Sequence, residues 1–238
     1  NEEYFAEIDT KDKAYFLGWM FADGYVSKKE AGQYIFGLSL SEESPLILFK
    51  KYLKTKKPIG RYKNSGSFGA GNNMYKLDIS SKQIFDDLAK HGVIKQKTFK
   101  LRFPELEQSL IPHFIRGFFD GDGTVFTSYQ KKKHEEKLYL HSGFSGIKSF
   151  LQEVLNNLDF VTDDQSNLYK DNRKKTDCWN IKFSIKKSIQ LYKYLYEDCD
   201  DLYLARKRDK FEKYIQDEGS TTIIADPIKV NFEGQGIV

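Results

Sequence analysis

Two aspartates, Asp23 and Asp122, stand 99 positions apart. Each closes an apolar, helix-like run and is followed by glycine, in AYFLGWMFADGYV (14–26) and HFIRGFFDGDGTV (113–125). An aspartate in the last turn of a helix faces the negative end of the helix dipole and is disfavoured by roughly 0.3 to 1 kcal/mol. Two such residues on touching helices also repel each other. A divalent cation relieves both costs, because paired carboxylates and helix-terminal carbonyls are hard oxygen ligands. The pair therefore predicts a metal site. An EF-hand over Asp120 to Thr124 would need Gly at position 125 and Glu at position 131, and Val125 and Lys131 exclude it. A carboxylate pair for glycoside hydrolysis finds no other support, since nothing else points to a sugar cleft.

The elements that must position the acids are written twice. Gly18 falls on Gly117, Asp23 on Asp122, Gly24 on Gly123 and Val26 on Val125, while Tyr15, Trp19 and Met20 fall on Phe114, Phe118 and Phe119. Each copy opens with a helix from a cap at Thr10 or Ser109 to Gly24 or Gly123, where a left-handed C′ glycine is expected. Gly18 with Ala22, and Gly117 with Gly121, are four apart, so each pair shares a face that lets two helix backbones approach. Strands are predicted at 25–28 and 33–40 in the first copy and at 124–129 and 138–145 in the second. A helix follows at 45–53 or 147–158, then strands at 59–63 and 74–79 or at 167–171 and 179–185, and a last helix at 83–91 or 189–196. The order is α-β-β-α-β-β-α, twice. The boundaries are residues 1–104 and 105–217, with a tight linker near Phe103-Pro104 and a tail, 218–238, that matches neither copy.

The 238 residues are 39% hydrophobic and 15% aromatic, enough for a real core, which excludes a disordered chain. A net charge of +4 establishes no polyanionic partner by itself, but basic residues run together at Lys131 to Lys133, Arg173 to Lys175 and Arg206 to Arg208. Cys178 and Cys199 make neither a disulfide framework nor a zinc site, which suits an intracellular setting. No stretch has the apolar length of a membrane span, and the start, Asn1-Glu2-Glu3-Tyr4, lacks a secretory pattern and reads as that of a processed or excised piece.

FLGWMFADG and IRGFFDGDG resemble the two signature motifs of single-chain LAGLIDADG homing endonucleases, encoded in introns or inteins, and the doubled element order is similar to that family's fold over residues 10 to 217. The resemblance implies an α+β protein with two pseudo-twofold αββαββα repeats. Each repeat carries a four-stranded antiparallel sheet, the two sheets forming a DNA-binding saddle with the motif helices packed at its centre. It implies a monomer that makes a double-strand break in DNA with Mg²⁺, which Mn²⁺ can replace and which Ca²⁺ replaces only for binding. Asp23 and Asp122 become catalytic metal ligands, completed by the carbonyls of Ala22 and Gly121. Members carry a basic residue after the last helix of each repeat, and aligning Ile94 with Leu204 assigns Lys97 and Lys207 to that role. The acid two places before the second catalytic one is present as Asp120, whereas the first copy has Phe21.

Under that reading the polar strand and turn residues meet the major groove of double-stranded DNA. In the first copy they are Ser27, Lys28, Gln33, Ser39, Arg61, Lys63, Asn64, Asn72, Asn73 and Lys76. In the second they are Thr127, Tyr129, Lys131, His141, Ser145, Tyr169, Lys170, Asn172, Arg173, Lys175, Asn180 and Lys182. The two sets differ, so the target is asymmetric. Relatives that serve as RNA-splicing maturases or non-cleaving DNA-binding regulators are the alternative; two retained, mutually repelling acids argue against it. A metal-stabilised structural protein is disfavoured by the basic turns and long polar strands.

Overall fold

The computed structural model describes residues 1–30, 32–65, 70–94, 101–132, 135–161, 168–173 and 177–219. The first half comprises α1 (Lys11–Ala22), β1 (Gly24–Lys28), β2 (Tyr34–Leu40), α2 (Ser44–Leu53), β3 (Gly60–Lys63), β4 (Asn73–Ser80) and α3 (Lys82–Lys90). The second comprises α4 (Ile111–Asp122), β5 (Thr124–Lys132), β6 (Glu135–Gly146), α5 (Lys148–Asn156), β7 (Leu168–Lys170), β8 (Trp179–Phe183) and α6 (Ile185–Tyr196). The same α-β-β-α-β-β-α order thus appears twice. A further helix, α7 (Ala205–Gly219), extends the second half beyond that order. Its inward stripe, Lys207, Phe211 and Tyr214, follows helical spacing, but a lysine sits where an apolar residue would announce it.

Each half forms one antiparallel four-stranded sheet, in the orders β1-β2-β4-β3 and β5-β6-β8-β7. Register follows the alternation of side chains: Val26, Phe36 and Ile79 are partners across the first sheet, as are Val125, Ser142 and Phe183 across the second. Those residues face the helices, where one contiguous core joins both halves. Phe16 stacks on Phe49 of α2 at 4.7 Å, and Phe118 and Phe119 both meet Phe144 of β6. Burying each such ring contributes about 1.5 to 3 kcal/mol.

The motif helices α1 and α4 pack backbone to backbone. A Cβ on Gly18 would stand 2.2 Å from the Phe114 carbonyl oxygen, and one on Gly117 only 1.9 Å from that of Tyr15. Gly121 lies in the same seam, where an added Cβ would meet that of Ala22 at 2.3 Å. Any side chain larger than hydrogen at these points would push the helices, and the acids at their ends, apart.

Both expected helix boundaries need correction. Gly123 is extended, with φ −70° and ψ 155°, and Gly24 is not among the glycines with positive φ, so neither ends its helix in the left-handed form. Their small size has another cause: a Cβ would collide with Met20 at Gly24 and with Phe119 at Gly123. Left-handed stops occur instead after α2, at Lys54 with φ 53°, and after α3, at Gly92 with φ +96°. Thr10 precedes α1 without a side-chain cap, and Ser109 lies inside a 3₁₀ turn, Gln108–Leu110, so α4 starts at Ile111. Ser81 and Ser184 do cap helices, accepting from Ile84 and Lys187 at the starts of α3 and α6.

Candidate active site

Because α1 and α4 lie side by side, their C-terminal ends present Asp23 and Asp122 together at one end of the seam. Both are exposed, whereas Asp120, two residues earlier, is wholly buried. The Asp23 carboxylate borders Gly121: an added Cβ there would sit 3.2 Å from its Oδ2. A cavity of about 270 Å³ opens here, lined by Trp19, Asp23, Ser39, Glu42, Asp120, Gly121 and Arg206 among others. The guanidinium of Arg206 donates to Glu42 along its rim.

Lys207, in the first turn of α7, is 3% exposed and points its ammonium into the end of α4. Its Nζ donates to the carbonyl oxygens of Phe119 at 2.5 Å, Gly121 at 3.1 Å and Gly123 at 2.5 Å. Burial pushes its pKa down to about 8; Asp120 opposes that most, Arg206 adds to it, and Asp23 and Asp122 oppose it further. All three acids therefore act on one ammonium. That a buried cation settles on the terminal carbonyls of α4 shows how strongly this end attracts positive charge.

Could the same end hold a divalent metal? Among the described residues no group of three or more His, Cys, Asp or Glu side chains gathers to bind a metal, which argues against a zinc-type cage. Two exposed carboxylates beside helix-end carbonyls suit a hard cation that keeps much of its water. Gly121's carbonyl has a second lone pair and can accept from Lys207 while facing a cation. Lys97 lies outside the described residues.

Residues 110–215 match the LAGLIDADG-like domain. This segment is a LAGLIDADG-like domain. The structure is similar to the LAGLIDADG meganuclease I-CpaMI bound to uncleaved DNA, at 14% identity and a TM-score of 0.58, covering 87% of this chain and 91% of that one. It is similar also to the I-LtrWI LAGLIDADG homing endonuclease bound to target DNA, at 15% identity and a TM-score of 0.56, covering 93% and 92%. I-SmaMI bound to uncleaved target DNA in the presence of calcium ions matches at 13% identity and a TM-score of 0.58, covering 87% and 92%. No curated protein sequence matches the chain. At these identities the likeness is one of fold, and the chain has the LAGLIDADG meganuclease fold.

In that fold the sheet faces away from the helices are open, and strand alternation decides which side chains stand on them. Ser27, Ser39 and Lys76 do so in the first sheet, and His141, Ser145, Tyr169, Asn180 and Lys182 in the second. Two of the bonds on these faces join Ser39 to its open-face neighbour Tyr62 at 2.6 Å and Ser145 to Asn180 at 2.7 Å. Gln33, Asn64, Asn72, Asn172 and Arg173 lie in turns or loops, and Lys175 falls outside the described residues.

The remaining strand positions stand on the other face of their strands. Lys28, Arg61, Lys63 and Asn73 share the helix-side alternation of Val26, Phe36 and Leu77, and Thr127, Tyr129, Lys131 and Lys170 share that of Val125, Leu140 and Ile181. Lys28 lies over the Tyr34 ring at 5.1 Å and Arg61 over Tyr75 at 5.9 Å. Polar type alone does not decide the face, because neighbours along a strand, such as Ser27 and Lys28 or Tyr169 and Lys170, point to opposite sides. Besides His141 and Ser145, the open face of β5 and β6 carries Thr124, Phe126, Ser128, Gln130, Lys137 and Tyr139. Counting by twos from Val125 and Leu140 marks the helix side, and the residues it skips are these. Phe126 stacks on His141 at 4.7 Å, and Ser128 shares a 2.8 Å hydrogen bond with His141. Burial and the nearby Lys182 lower the pKa of His141. Phe126 and His141, with Thr124, Tyr169, Asn180 and Lys182, line a groove of about 430 Å³.

Proposed function

We propose that this chain is a monomeric, site-specific endonuclease that makes a double-strand break in a long, asymmetric duplex DNA by metal-dependent phosphodiester hydrolysis. The observation that carries the reading is the convergence of Asp23, Asp122 and Lys207 at the end of the α1–α4 seam. The DNA-bound state of I-CpaMI and I-LtrWI, which have this fold, supports a DNA duplex as the partner. Among the described residues no helix is long and apolar enough to cross a membrane.

Asp23, Asp122 and the helix-end carbonyls of Ala22 and Gly121 would hold Mg²⁺, which when bound stabilises the charge that builds on the phosphate oxygens in an in-line displacement. The protein's own part is geometric and electrostatic. The glycine seam fixes the spacing of the acids, Lys207 brings a cation to the side of both, and the paired acids orient the attacking water and take up its proton. The open faces of the two sheets, which carry different residues, would lie along the major groove and read unlike half-sites.

Incubating the full chain with a random duplex library and Mg²⁺, then sequencing cut ends, tests this. Recovery of one long asymmetric site cut on both strands, with binding but no cutting in Ca²⁺, is the expected result. A library left intact in both Mg²⁺ and Mn²⁺ overturns the reading.

A further inference from the structure

Asp120 borders the cavity yet is 0% exposed, and its carboxylate accepts three hydrogen bonds from the protein. Tyr15 of α1 donates at 2.8 Å, Tyr196 of α6 at 2.9 Å, and the backbone N–H of Leu204 at 2.8 Å. Burial raises its pKa, and Lys207 foremost opposes that rise. An enclosed carboxylate is costly wherever an apolar residue would serve, so its retention calls for a structural return.

That return lies in what it grips. Leu204 immediately precedes α7, and its carbonyl accepts from the N–H of Lys207 at 3.0 Å. Lys207 then bonds back to the carbonyls of Phe119 and Gly121, the residues flanking Asp120. A closed ring results: α4, Asp120, Leu204, Lys207, α4. One turn earlier on the same face, Arg116 donates to the carbonyls of Leu202 at 2.6 Å and Leu195 at 3.0 Å, pinning the segment that leads into α7. The equivalents in α1 of Arg116 and Asp120 are Leu17 and Phe21, and that of Tyr15 is Phe114 in α4. All three are buried and apolar, and Phe21 meets Phe114 ring to ring at 5.0 Å.

We propose that Asp120 is a positioning residue that locks Lys207 onto the end of α4, and that its lack of a counterpart in α1 makes the two halves of the centre unequal, so that the two DNA strands are cut at different rates. The second clause rests on the endonuclease reading; the lock does not. A reacting group displaced by about 1 Å loses on the order of a hundredfold in rate, which sets the size of effect to look for.

Two measurements on the full chain test this. In the first, amine-reactive acylation followed by mass spectrometry should find Lys207 protected in the wild type, exposed in Asp120→Leu, and protected again in Asp120→Asn, whose amide oxygen still accepts from Leu204. In the second, the selected duplex carries a separate label on each strand. Wild type should cut the strands at different rates, and Asp120→Leu should slow one strand by about a hundredfold while the other holds. Should Asp120→Leu not fold, Tyr15→Phe/Asp120→Leu/Tyr196→Phe replaces it, since it leaves only the Leu204 N–H unpaired. Unchanged labelling of Lys207 overturns the lock. Equal wild-type rates, or equal slowing of both strands, overturn the inequality. A wild type that cuts no duplex defeats the endonuclease reading and the strand inequality with it, while the labelling still decides the lock.

Discussion

Tyr15 donates its phenol hydrogen to Asp120 at 2.8 Å across the helix seam, and the pseudo-twofold mate of that contact, Phe114 against Phe21, contains no polar side-chain atom. Each half of the seam is matched to itself. Tyr15→Phe should therefore destabilise the protein by about 1 to 3 kcal/mol, because it removes a donor from a buried carboxylate. Phe114→Tyr should cost a similar ~1 to 3 kcal/mol by pressing a hydroxyl among Phe21, Phe103 and Phe150. Urea denaturation of the two variants measures this; a loss under ~0.5 kcal/mol in Tyr15→Phe would show that Asp120 does not depend on the phenol.

That seam also shows how far the sequence could be read. The doubled glycines and acids predicted two helices in close contact, because only small residues at helical spacing permit it, and the strand order followed from turns and alternation. Three features were hidden. The burial of Asp120 depends on Tyr196 and Leu204, 76 and 84 residues away, and no local pattern announces such partners. The helix α7 was masked because Lys207 occupies its inward stripe. The glycines after the motif acids were given a turn role when packing against Met20 and Phe119 accounts for them.

The face of each strand residue leads to a second prediction. Phe126→Ala, His141→Ala and Lys182→Ala, all on the open side, should each weaken binding to the selected duplex by roughly tenfold to a hundredfold, the range for a lost stacking or base contact. Thr127→Ala and Tyr129→Ala, on the opposite side of the same sheet, should stay within about twofold, as exposed substitutions away from an interface do. Titration in Ca²⁺ keeps binding apart from cutting. Equal losses from both sets would mean that DNA does not lie on the open face.

Acid should weaken the fold through His113. Its ring is 4% exposed, and burial foremost, then Arg116, push its pKa from 6.5 down to about 4, with Lys11 adding to the fall and Asp198 and Asp200 opposing it. A folded-state pKa below the unfolded one means that the unfolded chain takes up the proton first. The stability is complete above about pH 6.5 and is lost progressively as the pH falls toward 4, by up to about 3 kcal/mol. Melting temperatures between pH 7 and 4.5 should decline in the wild type and decline less in His113→Gln, which holds no titrating ring; parallel curves would assign the acid lability elsewhere.

The last prediction concerns the acids themselves. Asp23→Asn and Asp122→Asn keep the shape of each helix end and remove one charge, so the helices should pack as before, and stability should hold or rise slightly as repulsion at the negative helix ends eases. Cutting of the selected duplex should nonetheless fall by at least about a thousandfold, since a carboxylate that holds a metal and orients water has no substitute in an amide. Affinity in Ca²⁺ should change far less, because most contact area lies on the sheets. Lys207→Met probes a different part of the same centre: it keeps an unbranched chain of similar length, yet leaves the carbonyls of Phe119, Gly121 and Gly123 without their shared donor. Slower cutting with metal affinity retained, measured by Mn²⁺ titration, is the outcome that assigns Lys207 to the chemistry. Loss of metal affinity together with cutting would instead mean that its bonds to α4 serve to hold the metal-binding end in shape.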